Sequence, residues 1–163
     1  MTDHNKSLLA FVEIAMNRTD KLVSVLMPAY NAQSTIAAAI QSVLSQTYPD
    51  FELIVVNDAS TDHTLQEIQK FDDPRILVLT LAANGGPGTA RNAAIDRAAG
   101  VWITLIDADD LWAPQRLEKL LAAAGSPEDG RMIADEIVEV FDTPDGLQEW
   151  QKIWQEQIPN PAP

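Results

Sequence analysis

Three aspartates, Asp107, Asp109 and Asp110, follow directly on the apolar run Val101–Ile106. That run predicts a buried strand, and acids at its end place negative charge where it is costly unless a cation lies beside them. Because residues two apart in an extended segment point the same way, Asp107 and Asp109 can share one ion, while Asp110 would point elsewhere and cap the following turn. The segment therefore predicts a site for a hard divalent metal, held by oxygen, next to a phosphorylated substrate.

Composition narrows the choice of metal and of partner. The 163 residues include no cysteine and two histidines, His4 and His63, which disfavours zinc and leaves oxygen-bound Mg²⁺, Mn²⁺ or Ca²⁺. A net charge of −13 argues against nucleic acid and against anionic lipid as docking surfaces, since both attract basic patches. No apolar run approaches the length of about 20 residues that spans a bilayer. We therefore expect a cytoplasmic protein, with peripheral contact at the inner face of the membrane as the alternative.

Apolar periodicity divides the chain into alternating strands and helices. The predicted strands are 22–27, 51–56, 76–81, 101–106 and 132–141. The predicted helices are 34–46, 62–71, 89–98, 114–124 and 146–158, with Gly100 ending the third. This alternation with short loops predicts an α/β three-layer sandwich around a mainly parallel sheet. In outline, 1–21 is an N-terminal amphipathic helix, 22–141 the main domain, and 142–163 a C-terminal helix with a Pro-rich tail.

The residues that follow the strands of a parallel sheet meet at one edge, where ligands bind. Besides the acids, this edge would hold Tyr30, Asp58, Arg91 and the glycine loop 84–88. Tyr30 either packs or lies along a base, and Asp58 either serves a turn or accepts hydrogen bonds from a base or ribose. The glycine loop either makes a tight turn or lets the backbone approach a ligand, with Arg91 presenting a cation to it.

Two other patterns have plainer interpretations. Arg91 stands where the third glycine of a dinucleotide-binding motif would be, and the glycine loop follows the third strand rather than the first, so a dinucleotide-binding fold is rejected. The acid pair Asp50 and Glu52 precedes a strand and is expected to be solvated charge.

Several segments, taken together and in order, resemble the family 2 glycosyltransferases with the GT-A fold. They are Val23–Asn31, Ser42–Tyr48, Phe51–Asp62, Asn84–Gly86, Thr89–Asn92, Ala99–Gly100, and Asp107–Asp110 with Pro114 and Leu117. The match covers roughly residues 22 to 124. The resemblance implies that 22–141 is a GT-A nucleotide-sugar-binding domain, truncated at its acceptor side.

The resemblance implies a nucleotide-diphosphate sugar as donor, above all a UDP-sugar. The sugar would pass with inversion to a hydroxyl of a saccharide or lipid-linked acceptor, in polysaccharide or glycoconjugate synthesis. By position, Pro28, Ala29 and Tyr30 would line the base pocket. Asp58 would bind the uracil or equivalent base, and Arg91 would reach the nucleotide.

The same resemblance assigns the acidic segment. Asp107 would touch the ribose and the metal, with Ala108 beside it on the nucleotide sugar. Asp109 would be the main ligand of Mg²⁺ or Mn²⁺ on the diphosphate, where charge develops as the sugar–oxygen bond breaks.

The inverting mechanism of this family also needs a carboxylate that takes the proton of the acceptor hydroxyl. That base lies well beyond the metal motif, and here the candidates are Asp135 and Glu136. Because complete members are longer, we expect a truncated form or a divergent short member. The alternative is a non-catalytic fragment that binds the nucleotide sugar without transfer. A signalling receiver domain is disfavoured because no acid follows the first strand, and the apolar faces of the termini suggest a homo-oligomer.

Overall fold

Parallel strands at the centre of the chain carry the site. The computed structural model describes residues 22–124. Its strands are β1 (Val23–Ala29), β2 (Phe51–Asn57), β3 (Ile76–Thr80) and β4 (Trp102–Leu105). They lie in the order β3-β2-β1-β4, and each pairing is parallel, which confirms the predicted mainly parallel sheet. The elements predicted at 1–21, 132–141 and 146–158 lie outside the described residues.

Helices connect the strands. They are α1 (Ile36–Leu44), α2 (Thr64–Ile68), α3 (Gly86–Ile95) and α4 (Arg116–Ala124). Within residues 22–124, no helix is both long and apolar enough to cross a membrane.

The two central strands, β1 and β2, are covered on both faces. On one face, Leu26 and Ile54 form a buried cluster with Ala90 and Ala94 of α3. On the opposite face, alternate residues such as Met27 are also fully buried. Burial on both sides explains why these strands read as continuous apolar runs rather than as alternating patterns. The alanines of α3 let the helix approach the sheet closely, so its position is tightly set.

Strand β4 departs from the prediction of a fully buried strand. Val101, Ile103 and Leu105 are 45%, 50% and 48% exposed. Within the described residues β4 is an edge strand that pairs with β1. A continuous apolar run predicts cover on both faces, but the alternate residues Val101, Ile103 and Leu105 share one face that no element within 22–124 buries, so that prediction is wrong for this face.

Helix α3 begins earlier and ends earlier than the periodicity predicts. It runs from Gly86 to Ile95 rather than from Thr89 to Ala98, with Pro87 in its first turn, where a fixed φ and a missing N–H are tolerated. Gly100 therefore does not end this helix. It lies against β1, where a Cβ would come within 2.7 Å of the Leu22 carbonyl oxygen.

The segment that connects α3 to β4 is held by Glu52, which we expected to be solvated. One oxygen of Glu52 accepts hydrogen bonds from the buried Ser24 hydroxyl at 2.6 Å and from the Ala99 amide at 2.7 Å. The Ser24 hydroxyl in turn accepts from the Gly100 amide at 2.9 Å. Glu52 is thus a structural acceptor, and the expectation of solvated charge at this residue is wrong.

The chain divides into two compact units, of which the first holds the whole sheet. The second contains 42–48 and, from the described residues, 111–124. Gln46 joins these two segments: its buried side-chain amide donates to the Ala113 carbonyl at 2.8 Å and accepts from the Leu117 amide at 3.0 Å. Arg116 stacks over the Trp112 ring at 4.3 Å. Buried polar groups need such partners to be tolerated.

Candidate functional site

The ends of the strands meet at one edge of the sheet, as the parallel arrangement predicts. Ala29 pairs with Asn57 at the ends of β1 and β2. The Asp58 amide donates to the Ala29 carbonyl at 2.9 Å, and the Ile106 amide continues the pairing beyond β4 by donating to Leu26 at 3.1 Å. Of the predicted site residues, Tyr30, Asp58 and Asp107–Asp109 follow strand ends at this edge, whereas Pro28 and Ala29 are the last two residues of β1 and Arg91 lies in α3.

Asp58 is a buried carboxylate, 2% exposed. Its Oδ1 accepts from the Gly85 amide at 2.9 Å and its Oδ2 from the Gly86 amide at 2.8 Å. The Asn84 side-chain amide also donates to the Asp58 backbone carbonyl at 3.3 Å. Asp58 thus does more than stabilise its own turn. A carboxylate can accept about four hydrogen bonds, so Asp58 keeps lone pairs beyond those that the two glycine amides use.

The glycine loop starts a helix. Its Gly85 and Gly86 amides already donate to Asp58, which favours the tight-turn interpretation for these two residues over amides held open for a ligand. Gly86 has φ +80°, in the left-handed region that favours glycine. Thr89 secures the turn from inside the helix by donating to the Gly85 carbonyl at 2.7 Å.

Arg91 and Asp107 are in direct contact. Arg91 Nη2 lies 2.8 Å from Asp107 Oδ1, and the two side chains are 35% and 51% exposed. Within the part of the chain that the structure describes, Arg91 Nε is buried and has no hydrogen-bond partner. The predicted cation therefore lies beside the first acid of the predicted metal segment.

The acidic segment forms a turn rather than continuing the strand. The Asp110 amide donates to the Asp107 carbonyl at 3.1 Å, and β4 has already ended at Leu105. The argument that Asp107 and Asp109 share an extended backbone is therefore wrong. Within this turn, Ala108 is buried between two exposed acids, Asp107 and Asp109.

The donor set of this turn fits Mg²⁺ or Mn²⁺ bound together with a diphosphate. Asp107 and Asp109 supply hard carboxylate oxygens, which these ions prefer, and magnesium sites commonly combine one or two carboxylates with substrate phosphates. Among residues 22–124 no group of three or more His, Cys, Asp or Glu could hold a metal ion. Within these residues, the turn therefore does not form a closed metal site made of protein ligands alone.

Two loops beside Tyr30 are joined by hydrogen bonds that the sequence did not reveal. Asn31 follows β1, and its side-chain oxygen accepts from the Thr61 amide at 2.8 Å. Gln33 and Asp62 extend the connection, because the Gln33 amide donates to Asp62 Oδ2 at 3.2 Å. Short polar side chains follow both β1 and β2 in the sequence, but nothing in either segment indicates that the two loops bind each other.

Asp62 is the most strongly anchored of these residues. Burial would raise the pKa of Asp62, but hydrogen bonds from the Thr64 hydroxyl, the Thr64 amide and the Gln33 amide hold it below the ordinary value of 3.8. The joined loops flank Tyr30, which is 50% exposed, and Ala29, which is buried. Pro28 is half-buried. The two candidates for the catalytic base, Asp135 and Glu136, lie outside the described residues.

Comparison with known proteins gives a consistent result. The family described as "Glycosyl transferase family 2" matches residues 24–159. Over 99 residues the chain is 46% identical to UDP-Glc:alpha-D-GlcNAc-diphosphoundecaprenol beta-1,3-glucosyltransferase WfgD of Escherichia coli, covering 61% of this chain and 39% of that protein. It is 43% identical over 108 residues to the putative teichuronic acid biosynthesis glycosyltransferase TuaG of Bacillus subtilis, covering 65% of this chain and 43% of TuaG.

Solved structures show the same likeness. S. aureus TarS 1-349 in complex with UDP is similar with a TM-score of 0.59 and 36% identity, over 61% of this chain and 31% of that one. The mannosyltransferase PcManGT from Pyrobaculum calidifontis, in complex with GDP-Man and Mn²⁺, gives a TM-score of 0.53 and 30% identity, over 55% of this chain and 28% of that one. The match spans about two fifths of the length of each of these two curated relatives.

Proposed function

The chain belongs to glycosyl transferase family 2 and has the GT-A fold, and from this premise we propose that it binds a nucleotide-diphosphate sugar, a UDP-sugar above all. The sugar passes with inversion to a hydroxyl of a saccharide or lipid-linked acceptor, in polysaccharide or glycoconjugate synthesis. The observation that carries the proposal is the meeting of Asp58, Arg91 and Asp107 at one edge of the parallel sheet. Residues 22–141 form the nucleotide-sugar-binding domain in this proposal.

At the base end, Pro28, Ala29 and Tyr30 line a pocket for the base. The half-exposed Tyr30 ring offers a flat apolar surface to a nucleobase. Asp58 accepts a hydrogen bond from a ring N–H, using lone pairs that the glycine amides leave open. A carboxylate accepts hydrogen bonds, and in this proposal its donor is the ring N–H of uracil.

At the diphosphate end, Asp107, Ala108 and Asp109 face the donor. Asp109 is the main ligand for Mg²⁺ or Mn²⁺, and Asp107 serves both the metal and the ribose. When bound, the metal stabilises negative charge on the diphosphate leaving group. Arg91 brings positive charge to a chain of net charge −13, and it holds Asp107 in place at 2.8 Å.

Transfer requires a base, and Asp135 or Glu136 takes the proton of the acceptor hydroxyl in this proposal. The competing proposal is a nucleotide-sugar-binding fragment without transfer. It requires only the donor-binding residues Asp58, Arg91 and Asp107–Asp109, and no base for the acceptor.

A two-part experiment tests the function. Calorimetry of the full chain with UDP, CDP and ADP, each with and without Mn²⁺, should show tightest binding for UDP with the metal. Release of labelled sugar from UDP-sugars, to water or to saccharide acceptors, then separates the two proposals. Binding with release supports a transferase, and binding without release by a folded chain supports the fragment. If no nucleoside diphosphate binds, both fail.

A further inference from the structure

Asp58 is held by hydrogen bonds within the protein. Both of its carboxylate oxygens accept amides from consecutive residues, Gly85 at 2.9 Å and Gly86 at 2.8 Å. Hydrogen bonds to an ionised group are stronger than those between neutral groups. A residue that only contacted a base would not need to hold two backbone amides in this way.

The amides that Asp58 holds belong to the start of α3. Gly85 is the N-cap and Gly86 the first helical residue, so the carboxylate satisfies donors that have no partner inside the helix and lies at its positive end. The next turns are buried against the sheet through Ala90 and Ala94, both 0% exposed. The helix is thus fixed at its start by a charge and along its length by packing.

The same helix carries the cation of the diphosphate end. Arg91 follows Gly86 by five positions and contacts Asp107 at 2.8 Å. A chain of contacts therefore joins the two ends of the site. It runs from the Asp58 carboxylate through α3 to Arg91 and then to Asp107. A displacement of the first turn of α3 would change where Arg91, in the next turn, meets Asp107.

We infer that Asp58 is a positioning residue for the diphosphate end of the site, in addition to its contact with the base. It anchors the glycine loop and the start of α3, and so determines where Arg91 meets Asp107. This inference rests on the proposed function, because it assumes that the base end and the diphosphate end of the site bind one nucleotide.

Uridine and UDP separate the two roles of Asp58. In Asp58→Asn, one oxygen is replaced by an NH₂ group that cannot accept from a glycine amide. If Asp58 served the base alone, the variant would lose the same factor in affinity for uridine, measured by NMR titration, as for UDP with Mn²⁺, measured by calorimetry. The inference predicts that the loss for UDP with Mn²⁺ is larger by about tenfold, the scale of a hydrogen bond to a charged group. Equal losses would overturn it.

A matched pair of glycine variants tests the anchor while leaving Asp58 intact. In both Gly86→Ala and Gly88→Ala the new Cβ meets nothing within 4 Å, but Gly86 alone of the two has a positive φ, +80°. Gly86→Ala should therefore disturb the loop backbone, weaken UDP with Mn²⁺ and leave uridine affinity unchanged. Gly88→Ala should change neither. An unchanged affinity of Gly86→Ala for UDP with Mn²⁺ would contradict the inference.

A measurement without ligand keeps this test independent of the proposed function. Hydrogen–deuterium exchange of the full chain should show faster exchange at Gly85, Gly86 and the first turns of α3 in Asp58→Asn, and exchange no faster than wild type in Gly88→Ala. If the wild-type chain binds no nucleotide, the proposed function fails while faster exchange still supports the anchor. Exchange that is unchanged in a folded Asp58→Asn chain overturns the anchor whatever the chain binds.

Discussion

Arg91 Nη2 donates to Asp107 Oδ1 at 2.8 Å, joining the second turn of α3 to the turn that follows β4. The two residues are 16 positions apart in the sequence, and each was a candidate on separate grounds. Their contact means that the cation and the first acid of the segment act as one unit. It also means that Arg91 does not approach a nucleotide as an isolated charge.

Replacing Arg91 should change ligand binding much more than stability. Both side chains are at least one-third exposed, and an ion pair of that kind contributes about 0–1 kcal/mol. We expect Arg91→Ala to keep a melting temperature within a few degrees of wild type while weakening UDP with Mn²⁺ by about tenfold or more. Arg91→Lys should recover part of the affinity, because it keeps the charge but loses the planar fork.

Calorimetry and thermal melts of the same protein samples check this prediction. Arg97→Ala, which removes another cation of the exposed surface near the end of the same helix, is the control and should affect neither quantity. A large loss of melting temperature in Arg91→Ala with wild-type UDP affinity would instead assign Arg91 a purely structural role.

Substitution of Gly100 should destabilise the fold, although Gly100 does not end a helix. A Cβ there would meet the Leu22 carbonyl oxygen and the Ser24 amide, each at 2.7 Å, so part of the backbone must move. We expect Gly100→Ala to lower the free energy of unfolding by about 1–3 kcal/mol, measured by urea denaturation.

Gly88→Ala is the matched comparison for stability. Its Cβ meets nothing within 4 Å, and it lies inside α3, so the substitution should raise the free energy of unfolding by about 0.5–1 kcal/mol. Equal effects of the two substitutions would show that the close approach of Gly100 to β1 does not constrain the fold.

The Asp62 carboxylate should make the stability of the loops depend on acid. Its pKa lies below 3.8 in the folded chain, so the folded state favours the ionised form. The contribution is fully present above the unfolded pKa and is lost as the pH falls through the lower, folded pKa. Asp62→Asn should therefore melt below wild type at pH 7, and the difference should shrink as the pH falls from about 4 towards 2.

Thermal melts across this range, with Asp72→Asn as an exposed control, test the assignment. Asp72 lies at the surface before β3, and its substitution should give no such pH-dependent gap. A gap between wild type and Asp62→Asn that persists undiminished at pH 2 would show that the ionised carboxylate is not what stabilises these loops.

Much of the site followed from strand order, while its internal contacts did not. The apolar runs around Leu26 and Ile54 predicted buried parallel strands, and parallel strands place Asp58 and Asp107 at one edge. The hydrogen bonds from the Gly85 and Gly86 amides to Asp58 could not be predicted, because no local pattern records a hydrogen bond between residues 27 or 28 positions apart.

The errors have a common physical origin. The apolar run predicts that the segment after β4 stays extended, but the strand stops at Leu105 and the acids form a turn. The surroundings of Ile103 and Glu52 differ from the prediction because exposure depends on which elements pack against a strand. Periodicity reports which residues share a face, and it does not report what covers that face.

The proposed function depends most on Asp109 as the ligand of the metal at the diphosphate. Calorimetric titration of UDP into the full chain, with and without Mn²⁺, tests this in wild type, in Asp109→Ala and in the exposed-acid control Asp72→Ala. We predict that Mn²⁺ strengthens UDP binding by at least about tenfold in wild type and in Asp72→Ala, and has no effect on UDP binding in Asp109→Ala. A Mn²⁺-dependent gain in Asp109→Ala equal to that of wild type would contradict the central claim.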